Sequence, residues 1–144
     1  MQQTRIGDQV IRYDPAGTQR IYDRIQRGDA DECGCTSCQN FAAQRNTAFP
    51  PYFRSLLSTL GIDTRKEGEV YECGPRDDGN YIYGGWFYFC GVLVEAGQRS
   101  ERATDDNNFE FWFTSSCPAS TAFSGVPYIA VEFLTSIPWI RPAE

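Results

Sequence analysis

Between Trp86 and Val94 almost every residue is apolar, and both alternating sets are large: Trp86, Tyr88, Cys90, Val92 and Val94 on one side, Phe87, Phe89 and Leu93 on the other. A strand in a half-buried antiparallel sheet needs only one apolar face. One face of this strand is expected to be consumed by a helix. The other is either covered by a loop or left as an aromatic patch, and such patches mark binding surfaces. The stretch is strand length, interrupted by Cys90 and Gly91, and far short of a membrane span.

The pattern around it sets the fold class. Before Lys66 the apolar spacing is helical, and after it the spacing alternates. A helix is expected over Thr18 to Arg27, with Ile21, Tyr22 and Ile25 on one stripe, after a turn at Asp14-Pro15-Ala16-Gly17. Gly28 ends it, and Asp29 to Cys35 reads as an acidic loop. A second helix starts at Thr36, where Thr36 and Gln39 fit a capping box. A third follows Pro50-Pro51, with Phe53, Leu56, Leu57 and Leu60 on one face and a left-handed cap at Gly61 followed by Ile62. Strands are expected at Glu69 to Cys73, Tyr81 to Glu95, Asn108 to Ser115 and Tyr128 to Thr135, with a turn at Asp77-Asp78-Gly79-Asn80. Gln9 to Tyr13 alternates weakly, as a short edge strand would. Gly84-Gly85 inside the long strand signals a bulge or a close backbone approach. Gly97 to Asn107 reads as a polar connection, Pro118 to Pro127 as a loop, and Pro138 and Pro142 end the fold. Helices first and strands later give an α+β domain over residues 1–144. It has an antiparallel sheet of about four strands from the C-terminal half and two or three N-terminal helices on one face.

Charge and composition exclude several functions. The 144 residues carry a net charge of −6 with no basic run, which argues against nucleic acid, because phosphate neutralisation needs a basic patch. No stretch has the apolar core of an export signal or of a membrane anchor. A reducing, cytoplasmic setting and six free thiols are therefore expected. The chain contains no histidine, which removes Ser-His-Asp and Cys-His catalysis and histidine-ligated metals. No phosphate-binding glycine loop or dinucleotide fingerprint is present.

What remains is Cys33-Gly34-Cys35-Thr36-Ser37-Cys38, three thiols in six residues. Zn²⁺ takes thiolates tetrahedrally, so Cys33, Cys35 and Cys38 are the expected metal ligands, with Cys73, Cys90, Cys117 or Asp31 as candidates for a fourth. An iron–sulfur cluster fits a lone motif less well. The same residues permit a redox pair of Cys35 and Cys38 at a helix N-terminus, where a thiol pKa falls, although Asp29, Asp31 and Glu32 push the other way. They also permit plain structural thiols, since Cys38 lies on the apolar stripe. Glu95, Glu110 and Glu132, on separate strands, offer two facing carboxylates at most.

The string Asp31-Glu32-Cys33-Gly34-Cys35-Thr36-Ser37-Cys38-Gln39-Asn40-Phe41 resembles a group of small, uncharacterised bacterial proteins. So do Phe49-Pro50 through Leu60-Gly61-Ile62-Asp63 and Tyr83-Gly84-Gly85-Trp86-Phe87. The resemblance runs from about Tyr22 to about Pro142 and is similar to the cargo of mobile, integron-type gene cassettes. It implies no activity. The residues point to a non-enzymatic binding module with a structural cysteine cluster, zinc being the expected cofactor. The alternative is a thiol-dependent enzyme or redox sensor using Cys35 and Cys38. The sheet face carrying Trp86, Tyr88, Glu110, Trp112 and Glu132 is expected to line a small-molecule or protein cleft, or a homodimer interface.

Overall fold

A computed structural model describes residues 1–98, 103–104 and 109–140. The order along the chain is β1 (Gln2–Ile6), β2 (Gln9–Tyr13), α1 (Pro15–Tyr22), α2 (Asp29–Cys33), α3 (Thr36–Ala42), α4 (Arg45–Ala48), α5 (Pro51–Leu60), β3 (Glu69–Pro75), β4 (Tyr81–Glu95), β5 (Ala103–Thr104), β6 (Phe109–Thr114) and β7 (Tyr128–Ile137). The architecture is α+β with an antiparallel sheet, as expected. Among the described residues the sheet has seven strands, not about four, in the order β1-β2-β4-β7-β6-β5 with β3 also on β4, and there are five helices rather than two or three, because the N-terminus and the 97–107 connection add edge strands and the helical region is broken into short pieces.

The central element is β4. One edge pairs with β7 from Tyr81 to Cys90. The other edge is divided. It takes β3 at Tyr81 to Trp86 and β2 at Gly91 to Glu95. Between the two strands, side chains and a loop amide complete the hydrogen bonding. The Tyr22 hydroxyl donates to the Tyr88 carbonyl at 2.6 Å, the Cys90 amide donates to Thr18 Oγ1 at 2.9 Å, and the Asp14 amide donates to the Cys90 carbonyl at 3.0 Å. Helix α1 thus replaces a stretch of strand, which satisfies backbone groups that burial would otherwise orphan.

Helices α3 to α5 cover one face of the sheet. Phe41, Phe49 and Phe53 meet Tyr83, Phe87, Phe109, Phe111 and Phe133. Phe49 is the hub, with its ring centroid 4.9 Å from that of Phe133 and 5.4 Å from that of Phe53. Each such buried ring contributes roughly 1.5–3 kcal/mol from its area alone. Phe53, Leu57 and Leu60 are fully buried, Leu56 only partly. Gly61 caps α5 in the left-handed region (φ +83), and the Ile62 amide returns to the Leu57 carbonyl.

Several boundaries differ from the sequence reading. The expected turn at Asp14 to Gly17 is the start of α1, which begins at Pro15 rather than Thr18, because the Asp14 carboxylate caps the helix by accepting from the Gly17 amide and Pro15 sits where a proline costs no hydrogen bond. The helix stops at Tyr22, not Arg27. The segment read as an acidic loop contains α2, whose three carboxylates favour a helix N-terminus. The hydrogen-bonding cap of α3 is Cys35, not Thr36, and Gln39 reaches the Gly34 carbonyl instead of completing a box. The polar N-terminus forms β1, paired with β2 from Gln2 to Ile6. The register runs unbroken through Gly84 and Gly85, so these are close approaches and not a bulge. A Cβ at 85 would sit 2.3 Å from the Glu69 carbonyl oxygen. The shifts lie instead at Val10/Ile11 and at Glu72/Gly74. Within the expected polar connection 97–107, Ala103–Thr104 pairs with β6, and most of the rest lies outside the described residues, as does Pro142.

Phe49→Ala is expected to cost about 3–5 kcal/mol, the range for emptying a buried aromatic site. A urea titration checks it, and a loss below about 1 kcal/mol would show that Phe49 is not the hub of the core.

Candidate metal centre

The cysteine cluster lies on the short path from α2 to α3. Helix α2 ends at Cys33, and Gly34 takes the left-handed conformation (φ +67) that turns the chain back. Cys35 then caps α3, its Sγ accepting the Cys38 amide at 3.4 Å. Cys38 is one turn into the helix. The three Sγ atoms all lie within 4.8 Å of one another, with Cys33 and Cys35 exposed and Cys38 buried. At a Zn–S distance of about 2.3 Å, tetrahedral sulfurs stand about 3.8 Å apart. Rotation of the exposed Cys33 and Cys35 side chains would close that difference, so the donor set fits a thiophilic ion.

The thiols are not equivalent. The Cys38 amide, donating to the Cys35 sulfur, lowers the Cys35 pKa below the usual thiol value. Burial, and then hydrogen bonding to Cys33 and Cys35, raises that of Cys38. The Tyr83 hydroxyl beneath donates to the Ser37 carbonyl at 2.8 Å, which ties the first turn of α3 to the sheet.

A buried ion pair holds the platform. Glu67, its side chain wholly excluded from solvent, accepts from Arg45 Nη2 at 2.6 Å and from the Ala30 amide at 2.9 Å. Arg45 also reaches Asp31 at 3.3 Å. Burial opposes the Arg45 charge, but Glu67 and Asp31 outweigh it and its pKa rises. Asp29 adds a further tie, accepting the Val70 amide at 2.9 Å. Sequence reasoning missed this pair, because nothing marks Glu67 as buried until α2 and α4 close over it.

The proposed fourth ligands do not join the cluster. Asp31 is turned to Arg45. Cys73 is exposed on β3, Cys90 is buried beside α1, and Cys117 lies 3.8 Å from Glu132. All six cysteines are free thiols.

The sheet face away from α3 to α5 holds the remaining expected residues. Trp86, Glu110 and Glu132 are half-buried, while Tyr88 and Trp112 are 9% and 6% exposed. The loop 115–127 covers part of this face. The Tyr88 hydroxyl donates to the Pro118 carbonyl, the Ser120 amide donates to the Tyr128 hydroxyl, and Phe123 packs on Tyr22, Tyr88 and Tyr128. Glu132 stands in register between Trp86 and Trp112. Glu95 is elsewhere, paired with Arg5 at the far end of β4. No helix among the described residues is long and apolar enough to cross a membrane.

Arg45→Ala is expected to cost about 3–5 kcal/mol, because it strands a buried carboxylate. The double variant Arg45→Met/Glu67→Leu should recover most of that loss. Thermal or urea denaturation of the two proteins checks it, and an Arg45→Ala loss no larger than that of a surface pair would show that the Glu67 charge is not retained.

Comparison with protein-family models, with curated proteins and with solved structures finds no match to this chain, so its chemistry is read from its own residues.

Proposed function

We propose that this chain is a non-enzymatic binding module in which Cys33, Cys35 and Cys38 hold one zinc ion, with water or an external group as fourth ligand. The observation that carries the reading is the approach of three sulfurs within 4.8 Å on a corner fixed by a buried ion pair. The acidic neighbours Asp29, Asp31 and Glu32 add negative charge that favours a divalent cation at this corner. With bound Zn²⁺ the three residues supply thiolates, and the ion cross-links α2 to α3. Loading must displace the proton that burial holds on Cys38, so affinity rises with pH.

A second reading rests on the asymmetry of the pair. Cys35 is exposed at a helix N-terminus with a lowered pKa, and Cys38 is buried behind it with a raised one. That arrangement suits thiol–disulfide exchange, in which Cys35 attacks an external disulfide and Cys38 resolves the mixed disulfide.

Elemental analysis of protein purified under reducing conditions separates the two. One zinc per chain is expected, with loss of at least about tenfold in affinity when any one of the three cysteines becomes serine. Metal-free protein of undiminished stability, with Cys35 alkylated far faster than the other thiols, would overturn the zinc reading in favour of exchange.

A further inference from the structure

We propose that the sheet face away from helices α3 to α5 binds a quaternary or methylated ammonium group, seated between the rings of Tyr71 and Trp86 and the carboxylates of Glu69 and Glu132. The inference does not depend on a metal at the cysteine cluster.

The register builds the site. Glu69 on β3 stands opposite Trp86 on β4, Trp86 opposite Glu132 on β7, and Glu132 opposite Trp112 on β6. Acid and indole therefore alternate across four strands in one row. Directly opposed side chains in an antiparallel sheet start about 4.5–5.5 Å apart at Cβ, so each carboxylate begins beside its neighbouring ring. Tyr71, two residues from Glu69, shares its face. Its ring centroid is 6.3 Å from that of Trp86, with 56° between the planes, which makes two walls of an open corner. Gly84 lies beneath Tyr71, and a Cβ there would come within 2.5 Å of the ring. The missing side chain is what lets the tyrosine lie against the sheet.

Exposure limits the site to this corner. Tyr71 is 36% exposed, Glu69 is exposed, and Trp86 and Glu132 are half-buried. Trp86 keeps its Nε1 buried and so offers carbon to a ligand. The Tyr88 side of the face is closed by the loop at Pro118 and Phe123. Trp112 is buried and serves as backing only.

Charge decides the occupant. Among the described residues no lysine or arginine pairs with Glu69 or Glu132. The neighbour of Glu132 is the Cys117 thiol at 3.8 Å, a neutral group, since burial and then Glu132 push its pKa up to about 12. Two carboxylates without a counter-cation, beside two π faces, favour a cation with an apolar surface. Ring faces attract such a cation within about 6 Å of the centroid. A hard metal ion is a poorer fit, because the two ring faces offer it no oxygen ligands. The three cysteines are the one metal-competent cluster among the described residues.

The test uses the full chain, tetramethylammonium chloride as probe, sodium chloride as the ionic control and neopentyl alcohol as the neutral body of similar shape. Indole N–H resonances are followed by two-dimensional NMR, and Trp86 is assigned through Trp86→Phe. A saturable shift of the Trp86 resonance with tetramethylammonium alone is expected. Binding should weaken about fivefold in Glu132→Gln, the loss of one nearby charge in a wet site, and also in Tyr71→Leu. Glu69→Gln, at an exposed position, serves as a second charge variant should Glu132→Gln lose its folded spectrum. No saturable shift, an equal response to neopentyl alcohol, or unchanged affinity in the folded charge variants would each overturn the proposal.

Discussion

A carboxylate with no exposed surface has to be neutralised, and Glu67 is neutralised by parts of the chain that are far apart in sequence. Arg45 supplies the charge and the Ala30 amide a hydrogen bond, while the Glu67 backbone carbonyl accepts from the Asp29 amide. Helices α2 and α4 and the entry to β3 are joined at one residue. Desolvating two charges costs several kcal/mol, which their attraction repays only with good geometry and further hydrogen bonds. The pair contributes position more than stability. It makes the segment bearing the cysteines part of the domain, where a run of five residues such as α2 has no helical stability of its own.

The second constraint is β4. A strand buried on both faces is held by neighbours on each edge, and along one edge the chain uses β3, two hydroxyls, a loop amide and β2 in turn. Tyr22 and Thr18 are buried for this reason. Its last residues are different. Val92 and Val94 are 42% and 45% exposed, on the part of the strand that runs past β7, whose pairing stops at Cys90.

How much of this was legible follows from where each signal resides. Helix α5, its Gly61 cap, β4 and the turn before it carry their information locally, in apolar spacing, a left-handed glycine and an Asp-Gly pair, and they form close to where spacing places them. Strand β1 carries none. Gln2 to Ile6 is polar because it is an edge, and only its pairing with β2 makes it a strand. Proline at the start of α1 resembles a turn as much as a helix entry, and the choice depends on the Asp14 carboxylate finding the Gly17 amide. The cysteine spacing announced three converging sulfurs, and α2 and α3 bring them together. That spacing is silent about Cys35 as a cap and about a fourth ligand, which the described residues do not provide. Glu69 and Tyr71 escaped notice for a related reason. Alternation puts them on one face of β3, but only the register with β4 sets them beside Trp86.

Strand β3 is where the two candidate surfaces meet. Among the described residues it pairs only with β4, and an edge of this kind invites association with other strands. Its register shift at Glu72/Gly74, its closing Pro75 and its charged Glu69 and Glu72 all blunt that edge. At Val70 the strand divides its duties. The Val70 side chain is buried and its amide is held by Asp29 at the start of α2, the helix that ends in Cys33. The residues on either side, Glu69 and Tyr71, turn to the opposite face and stand beside Trp86. With a period of two, consecutive residues serve opposite faces. A slip of one residue in β3 would reverse both assignments at once, placing Glu69 and Tyr71 toward the helices and Val70 toward the acid–indole row. Glycine at 85 permits the register that keeps both, since a single added carbon there would meet the Glu69 carbonyl oxygen at 2.3 Å.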